Sequence, residues 1–207
     1  MTPLAVALSL LAAAPDHHEN DAANGGEDGF VSIFDGETLD GWRTNENADS
    51  FRVEDGAIVV RGERSHLFRT EELTDFIFEG EIKTEPNSNA GVFIHTRYQE
   101  EGWPRQGYEI QVNNSYEGDP VRTGSLYNTV KLFSSPVADG EWYTQRIEVR
   151  GNKVIVSING NVLYEFDEPP GVEIPRRLGK GVIALQAHDP GSVVYFRNLR
   201  VKDLSGE

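Results

Sequence analysis

The feature that most constrains the fold of this chain is a succession of short segments in which apolar and polar residues alternate. The clearest of them, residues 107–113 with the sequence GYEIQVN, places its apolar residues on one side and an acid and two amides on the other. Period-two alternation is typical of a β-strand with one buried face. Roughly a dozen such segments follow one another between Gly and Asn turns, and no convincing helix exceeds two turns. The sequence therefore predicts an all-β antiparallel β-sandwich.

The N-terminal 29 residues lack this pattern. Residues 4–14 form a short apolar run ending in small residues, so we expect residues 1–14 to be a signal-peptide-like segment, although no Lys or Arg precedes the run. Residues 15–29 are polar and rich in Gly and Asn, which indicates a disordered spacer. Residues 30–204 are then expected to form a single sandwich domain. These features predict a secreted or periplasmic protein without a membrane span, because the apolar run is too short to cross a bilayer.

Composition excludes several classes of site and partner. The chain has no cysteine, which rules out disulfides, thiol nucleophiles and thiolate metal sites. The formal net charge is −15, and we therefore expect no nucleic-acid partner, since nucleic-acid binding needs a basic surface. The oligomeric state is left open.

When the apolar faces of the alternating segments are aligned, their polar faces fall together. Glu109, Gln111 and Asn113 come from one segment, and residues 91–98 and 181–188 supply further polar side chains. In a curved sandwich, one sheet is concave, so these residues are expected to converge in a groove. The residues added by the two other segments are Phe93, His95, Arg97, Gln186 and His188.

Each of these residues also has an ordinary structural interpretation. His95 or His188 alone is more often a hydrogen-bonded surface histidine, and Glu109 alone is more often an ion-pair partner, for example of Arg97. Taken together, a carboxylate and two histidines on one face favour proton chemistry. His, Glu and Asn are also plausible metal ligands, but no HxxxH or HxH spacing occurs, so a divalent cation is possible and its ligands are unknown.

Eight short motifs, taken together in their order along the chain, resemble those of the 3-keto-disaccharide hydrolase domain family, formerly a domain of unknown function. No single motif is specific, but the ordered set covers about residues 30–204. The chain departs from the family at Asn113 and Ala187, where the family often has Asp. The motifs are IFDGETLDGW at 33–42, NAGVFI at 89–94, YEIQ at 108–111, GSLY at 124–127, GEW at 140–142, ING at 158–160, LQAH at 185–188 and FRNL at 196–199.

This resemblance implies a jelly roll of the concanavalin A-like lectin/glucanase type with a sugar groove on its concave sheet. It also implies a substrate already oxidised to a ketone at C3 of a pyranose. The ketone acidifies the C2 proton, so a base can form an enolate that expels the group at C1. On this basis Glu109 is expected to be the base and His188 the acid. The predicted substrate-binding residues are His95, Arg97, Trp103, Gln111, Asn113, Tyr127 and Gln186.

Other functions remain open at this point. A non-catalytic carbohydrate-binding module is the main alternative, because Trp103 and Tyr127 could serve as aromatic platforms and Gln111 and Gln186 as amide contacts. An adhesion or scaffold domain is a third. Direct hydrolysis by two carboxylates is less favoured, because the predicted groove supplies one obvious carboxylate and that mechanism needs two.

Overall fold

The computed structural model describes residues 28–171 and 176–206, which form a two-layered β-sandwich. Apart from one 3₁₀ turn at Ala48–Ser50, every regular element in this part of the chain is a strand. The thirteen strands are β1 (Val31–Ser32), β2 (Trp42–Thr44), β3 (Phe51–Glu54), β4 (Ala57–Val60), β5 (Ser65–Arg69), β6 (Phe76–Thr84), β7 (Ala90–Thr96), β8 (Tyr108–Val112), β9 (Tyr143–Arg150), β10 (Lys153–Ile158), β11 (Asn161–Asp167), β12 (Val182–Ala187) and β13 (Val194–Asp203).

The strands form two antiparallel sheets. The larger sheet has the order β11-β10-β9-β6-β13-β4-β3, with the short β1 paired to one end of β13. The smaller sheet has the order β2-β5-β12-β7-β8. Several neighbouring strands, such as β13 and β4 or β12 and β5, are remote in sequence, so the hydrophobic core is assembled from contacts over long chain separations. The predicted all-β antiparallel sandwich is confirmed.

Alternation in the sequence corresponds to the two faces of each strand. In β9, Tyr143, Gln145, Ile147 and Val149 are buried, and the residues between them reach the surface. Strands β7, β8 and β12 of the smaller sheet are buried on both faces, including the face that lies away from the core. That outer face carries the polar residues of β8 and β12, and it is the face on which a site was expected.

A β-bulge in β7 interrupts the alternation and corrects one prediction. Phe93 pairs with Ala184, but Thr96 pairs with Val182, so β7 has one more residue than β12 between these pairs. His95 has φ +51° and leaves the face that Phe93 occupies. Its Nε2 lies 2.7 Å from the carbonyl oxygen of Thr74, and its Nδ1 accepts the Gly179 N–H at 3.1 Å. The prediction that His95 shares a face with Glu109 is wrong, because the extra residue reverses the direction of the side chain.

The predicted N-terminal signal-like segment and most of the predicted spacer lie outside the described residues, as residues 1–27 are not described. Within the described ranges, no helix is long and apolar enough to cross a membrane. The predicted extracytoplasmic location stays a prediction.

Candidate active site on the outer face of the smaller sheet

Neighbouring strands of the smaller sheet bring the polar side chains into rows. Glu109 on β8 lies opposite Phe93 on β7, and Gln111 lies opposite Gly91. Beyond β7 in the same sheet, Gln186 of β12 lies opposite His66 of β5. Their neighbours along the strands, Ile110, Leu185 and Leu67, pack into the core. Because successive side chains of a strand point to opposite faces, the polar side chains all lie on the face away from the core.

These rows form the floor of a cavity of about 220 Å³. Such a volume is below the range of drug-sized sites and suits one small polar ring. The cavity brings together both predicted catalytic residues and four of the predicted substrate-binding residues. Its lining consists of Asn89, Phe93, Trp103, Glu109, Gln111, Asp119, Tyr127, Arg176, Gln186 and His188.

Glu109 is the most deeply buried acid of the cavity, with only 6% of its surface exposed. Burial raises the pKa of its carboxyl group from 4.5 to about 7, although the charge of Arg176 and the hydrogen bond from Gln186 act against the rise. The Gln186 Nε2 donates to Glu109 Oε1 at 3.0 Å. A carboxyl group with this pKa is a stronger base than an ordinary carboxylate and is still partly ionised near neutral pH.

His188 lies at the rim of the same cavity and is held by the residue that follows it. Its Nδ1 is 2.8 Å from Asp189 Oδ2. Burial raises the pKa of Asp189, but hydrogen bonds from Ser192, from His188 and from the Gly191 amide outweigh that effect and bring the pKa below its usual value. Asp189 is therefore a carboxylate that accepts a hydrogen bond from His188, a pairing that is common for histidines in proton transfer.

The two glutamines on the floor have amide groups that are only half paired. Gln111 Nε2 donates to Asn89 Oδ1 at 3.0 Å, and Gln186 Nε2 donates to Glu109. The carbonyl oxygens Oε1 of both glutamines are buried without a hydrogen-bond partner in the described part of the chain. Unpaired buried acceptors of this kind mark a place where a ligand or water completes the network, and a hydroxyl-rich ligand supplies the donors they lack.

Two serines fasten the turns at one end of the cavity. Ser192 Oγ accepts the backbone N–H of Asn89 at 2.9 Å, and Ser88 Oγ accepts the backbone N–H of Val193 at 2.9 Å. This reciprocal serine pair joins the turn before β7 to the turn before β13. Asn89, which holds Gln111, and Asp189, which holds His188, are therefore fixed relative to each other.

His66 is a residue of this face that the sequence analysis did not single out. It is fully buried, and neither of its ring nitrogens has a hydrogen-bond partner in the described residues. Burial lowers the pKa of His66 to about 3, so the ring is neutral at physiological pH. Its ring makes edge contacts with Phe93 at 5.4 Å and with Trp103 at 5.6 Å between centroids. His66 thus supports the wall of the cavity.

Trp103 closes one side of the cavity from the loop between β7 and β8. It is 42% exposed, and its ring centre lies 5.3 Å from that of His188. The Arg64 guanidinium lies 5.4 Å from the Trp103 ring centre, and Gln99 Nε2 donates to the Trp103 carbonyl oxygen at 2.9 Å. Trp103 therefore presents an aromatic surface beside the histidine at the mouth of the cavity.

Two more predicted substrate-binding residues do not line the cavity. Arg97 follows the bulge, is exposed and lies outside the lining, so it neither binds there nor pairs with Glu109. Asn113 is fully buried and holds its own loop instead. Its Nδ2 donates to the Val121 and Asp119 carbonyl oxygens at 2.9 and 3.1 Å, and its Oδ1 accepts the Tyr116 N–H at 2.7 Å. The predictions that Arg97 and Asn113 belong to the groove are wrong in this geometry.

The loop that Asn113 organises carries a second carboxylate to the cavity, that of Asp119. Arg176 and Asn89 also line it. Burial, followed by the negative charges of Asp119 and Glu109, raises the pKa of the Tyr127 hydroxyl, which therefore remains a neutral donor. Asp119 and Arg176 lie in irregular segments without alternation, so no sequence pattern pointed to them, whereas Asn89 lies within one of the motifs quoted for the resemblance.

A divalent cation has no evident ligand set here. In residues 28–171 and 176–206 no group of three or more His, Cys, Asp or Glu side chains is placed to hold a metal ion. Glu109, Asp119 and His188 share the cavity without forming such a group, and the divalent cation stays a prediction whose ligands are unknown.

Comparison with known proteins places the whole sandwich in one family of sequences. The family model described as "3-keto-alpha-glucoside-1,2-lyase-like domain" matches residues 29–202. A 3-keto-disaccharide hydrolase of Bacteroides thetaiotaomicron is 23% identical over 232 residues, covering 86% of this chain and 79% of the relative.

Solved structures share the fold. A protein of Parabacteroides distasonis, provisionally assigned as a glycosyl hydrolase, superimposes with a TM-score of 0.74 at 24% identity, over 86% of this chain and 95% of the other. The carbohydrate-binding module CBM66 of Bacillus subtilis superimposes with a TM-score of 0.58 at 12% identity, over 79% of this chain and 96% of the module. The jelly-roll architecture expected from the sequence is thereby confirmed.

Proposed function

This chain belongs to the 3-keto-alpha-glucoside-1,2-lyase-like domain family, and from that premise we propose that it cleaves 3-keto-glycosides by elimination in the cavity on the outer face of its smaller sheet. The observation that carries the proposal is the shared cavity of a deeply buried carboxyl group, Glu109, and a histidine paired to a carboxylate, His188. A module that only binds sugars needs no acid–base pair of this kind.

In the first step, the Glu109 carboxylate removes the proton at C2 of the keto-sugar. The electron pair of the broken C–H bond moves into the C2–C3 bond, and the ketone oxygen takes up the negative charge of an enolate. This step favours a base stronger than an ordinary carboxylate, which the pKa of about 7 at Glu109 supplies. Donors near the enolate oxygen lower the barrier further, and the Tyr127 hydroxyl and the Arg176 guanidinium line the same cavity.

In the second step, the enolate re-forms the ketone and expels the oxygen at C1. The C1–O bond breaks, a C1–C2 double bond forms, and the departing oxygen takes a proton from His188. Water adds across the double bond in a later step if the net reaction is hydrolysis. His188 suits the role of acid because Asp189 holds its Nδ1 and its ring lines the cavity together with the proposed base.

The cavity also fits the shape and polarity of the proposed substrate. Its volume of about 220 Å³ admits one sugar ring, so the second half of a disaccharide must lie outside, against the rim. The unpaired Oε1 atoms of Gln111 and Gln186 require donors, which sugar hydroxyl groups provide. The number of polar side chains on the floor matches a ligand with many hydroxyl groups better than an apolar one.

A second candidate function is direct hydrolysis of an unoxidised glycoside by Glu109 and Asp119. The observation that favours it is the second carboxylate in the cavity, which the sequence did not point to. This mechanism needs one carboxyl group as acid and the other as base or nucleophile. It requires no ketone, which separates it from elimination.

The deciding experiment is product release from a 3-keto-glucoside and, in parallel, from its unoxidised parent. Elimination predicts cleavage of the keto-sugar alone. Cleavage of both would favour the carboxylate pair. Binding of the parent sugar with cleavage of neither would leave a carbohydrate-binding module, the class to which the CBM66 relative belongs.

We also propose that the protein acts outside the cytoplasm, as the apolar run at residues 4–14 suggests. Fractionation of cells that make the full chain tests this point. Recovery of the full-length protein from the cytoplasm alone would contradict it.

A further inference from the structure

The turn that follows His188 holds a carboxylate whose two oxygen atoms have different tasks. Asp189, Pro190, Gly191 and Ser192 form a tight turn, closed by a hydrogen bond from the Ser192 N–H to the Asp189 carbonyl oxygen at 3.1 Å. Asp189 Oδ1 accepts the Gly191 N–H at 2.9 Å, which is the usual way in which an Asp side chain stabilises such a turn. A purely structural role would end with this contact.

The other oxygen, Oδ2, is directed at the site. It lies 2.8 Å from His188 Nδ1 and accepts the Ser192 hydroxyl at 2.7 Å. An ionised carboxylate only accepts hydrogen bonds, so the proton between Asp189 and His188 must be carried by Nδ1. That leaves Nε2 as the nitrogen with a free lone pair in the neutral ring.

Ser192 links this pair to the floor of the cavity. Its hydroxyl donates to Asp189 Oδ2 and accepts the N–H of Asn89, whose side chain accepts Gln111 Nε2. Ser192, Asn89 and Gln111 are buried, so this part of the chain of hydrogen bonds is shielded from water. Two aromatic rings pack against the His188 ring, with centroid distances of 5.3 Å for Trp103 and 5.5 Å for Tyr116.

We infer that Asp189 is a positioning residue that fixes the Nδ1–H tautomer of His188 and that Ser192 fixes the carboxylate of Asp189. The consequence for the reaction, which rests on the proposed function, is that the acid is the doubly protonated ring. Its Nε2 gives up the proton to the leaving group, which leaves the neutral Nδ1–H tautomer, and Nε2 takes up a proton again before the next turnover. Asp189 itself touches no substrate.

The Asp189→Asn variant separates this role from the structural one. The turn needs one acceptor, which the Asn carbonyl oxygen provides to the Gly191 N–H. The Asn amino group then takes the place of Oδ2 and donates to His188 Nδ1, which must lose its proton to accept. We therefore expect the tautomer of His188 to invert from Nδ1–H to Nε2–H while the turn is kept.

The primary measurement is the ¹⁵N NMR spectrum of the histidine rings in the substrate-free protein, recorded at a pH above 8, with the His188 signals assigned by their loss in His188→Gln. The wild type is expected to show a protonated Nδ1 and a bare Nε2. In Asp189→Asn the pattern should reverse, and Ser192→Ala should show a mixture of the two tautomers.

Asp35→Asn is the matched control. Asp35 stabilises another loop in the same manner, since its Oδ1 accepts the Glu37 and Thr38 N–H groups at 2.8 and 2.7 Å and its Oδ2 accepts the Thr38 hydroxyl at 2.8 Å. No histidine is bonded to it. We expect this variant to leave the His188 spectrum unchanged.

Kinetics supply a second readout. Asp189→Asn should lower kcat on a 3-keto-glucoside by about 10²–10⁴-fold, the usual contribution of a general acid or base, with KM within about twofold of wild type. Asp35→Asn should leave kcat unchanged.

A wild-type spectrum with the proton on Nε2, or an unchanged tautomer in Asp189→Asn, would overturn the inference. If Asp189→Asn does not fold, the wild-type and Ser192→Ala spectra decide. If the spectra show the expected tautomers but the protein cleaves no keto-sugar, the positioning role is supported and the proposed function is refuted. Failure of the inference and failure of the proposed function can therefore be told apart.

Discussion

Gly91 and Glu109 lie on neighbouring strands of the smaller sheet, and a Cβ atom at position 91 would lie 2.5 Å from Oε1 of Glu109. It would also lie 2.9 Å from the Cγ atom of the same side chain. The glycine is required here by close approach, since the Glu109 side chain lies across the backbone of β7. Any larger residue at this position would displace the proposed base.

Gly91→Ala is therefore expected to reduce turnover through geometry alone. A displacement of the carboxyl group by about 1 Å costs on the order of 10²-fold in rate. Kcat on a 3-keto-glucoside should fall by that factor, and urea unfolding should show a loss of only about 1–3 kcal/mol from overpacking. Wild-type turnover in a folded Gly91→Ala protein would argue that Glu109 has no catalytic task.

Glu109→Gln is expected to abolish cleavage but to retain binding. Gln keeps the size of the side chain and removes the base, so we expect kcat to fall by about 10²–10⁴-fold. Steady-state kinetics on a 3-keto-glucoside, together with calorimetric titration of the unoxidised parent, measure the two properties. Glu165→Gln is the control and should behave as wild type, because Glu165 is a half-exposed acid of β11 that pairs with Lys153 of β10. Undiminished cleavage by Glu109→Gln would exclude it as the base.

The raised pKa of Glu109 predicts a cost in stability on the alkaline side. The folded protein holds a proton on Glu109 up to about pH 7, whereas the unfolded chain loses it near pH 4.5. The contribution of this proton to the free energy of unfolding is therefore complete below pH 4.5 and is lost as the pH rises through 7. The loss amounts to about 3 kcal/mol. Urea unfolding at pH 4.5, 6 and 8 should show that Glu109→Gln gains stability relative to wild type as the pH rises. A constant difference across this range would contradict the assignment.

His66 predicts the opposite trend. Its pKa is lowered to about 3 in the folded protein and is about 6.5 in the unfolded chain, so acidification below 6.5 favours unfolding. Between pH 6.5 and 4.5 the effect is about 2–3 kcal/mol. His66→Leu also removes two unpaired buried nitrogens and should flatten the loss of thermal stability in this range. If His66→Leu loses thermal stability on acidification as steeply as the wild type, folding does not lower the pKa of His66.

Trp103 is expected to bind the leaving group. Its exposed ring lies beside His188 at the mouth of a cavity that holds one sugar ring, so a second ring would stack against it. Trp103→Ala should raise KM for a keto-disaccharide about tenfold and KM for a methyl 3-keto-glucoside much less. Trp142→Ala, which removes a ring packed against Lys83 and Arg197 on the larger sheet, is the matched control. Equal effects on both substrates would place the leaving group elsewhere.

The sequence predicted the fold and the centre of the site because both depend on alternation. Glu109, Gln111 and Gln186 are found where period two places them, opposite core residues of their own strands. His95 is not, because one extra residue in β7 reverses its direction, and a positive φ at a non-glycine residue leaves no mark in an apolar–polar pattern. His66 lies in a segment too short for its two faces to be distinguished.

The remaining members of the site depend on tertiary structure. The loop that carries Asp119 to the cavity is held by the buried amide of Asn113, which bonds to three of its carbonyl oxygens, and by Arg122, which bonds to two of the same oxygens. A carboxylate at position 113 could not donate those bonds, so the residue that differs from the family serves here as a support for an acid in another position. Such an exchange of roles is a property of the folded loop and cannot be read from the strand alone.

The reciprocal bonds of Ser88 and Ser192 determine how a ligand can enter and leave. They fasten two turns with bonds between buried groups, so we expect that end of the sandwich to open only when the protein unfolds. The Asn89 and Val193 amide protons should then exchange with solvent only as fast as the protein unfolds. The loops that carry Trp103 and Asp119 also line the cavity. We expect the motion of such loops to contribute to the residence time of a product, independently of the chemistry that forms it.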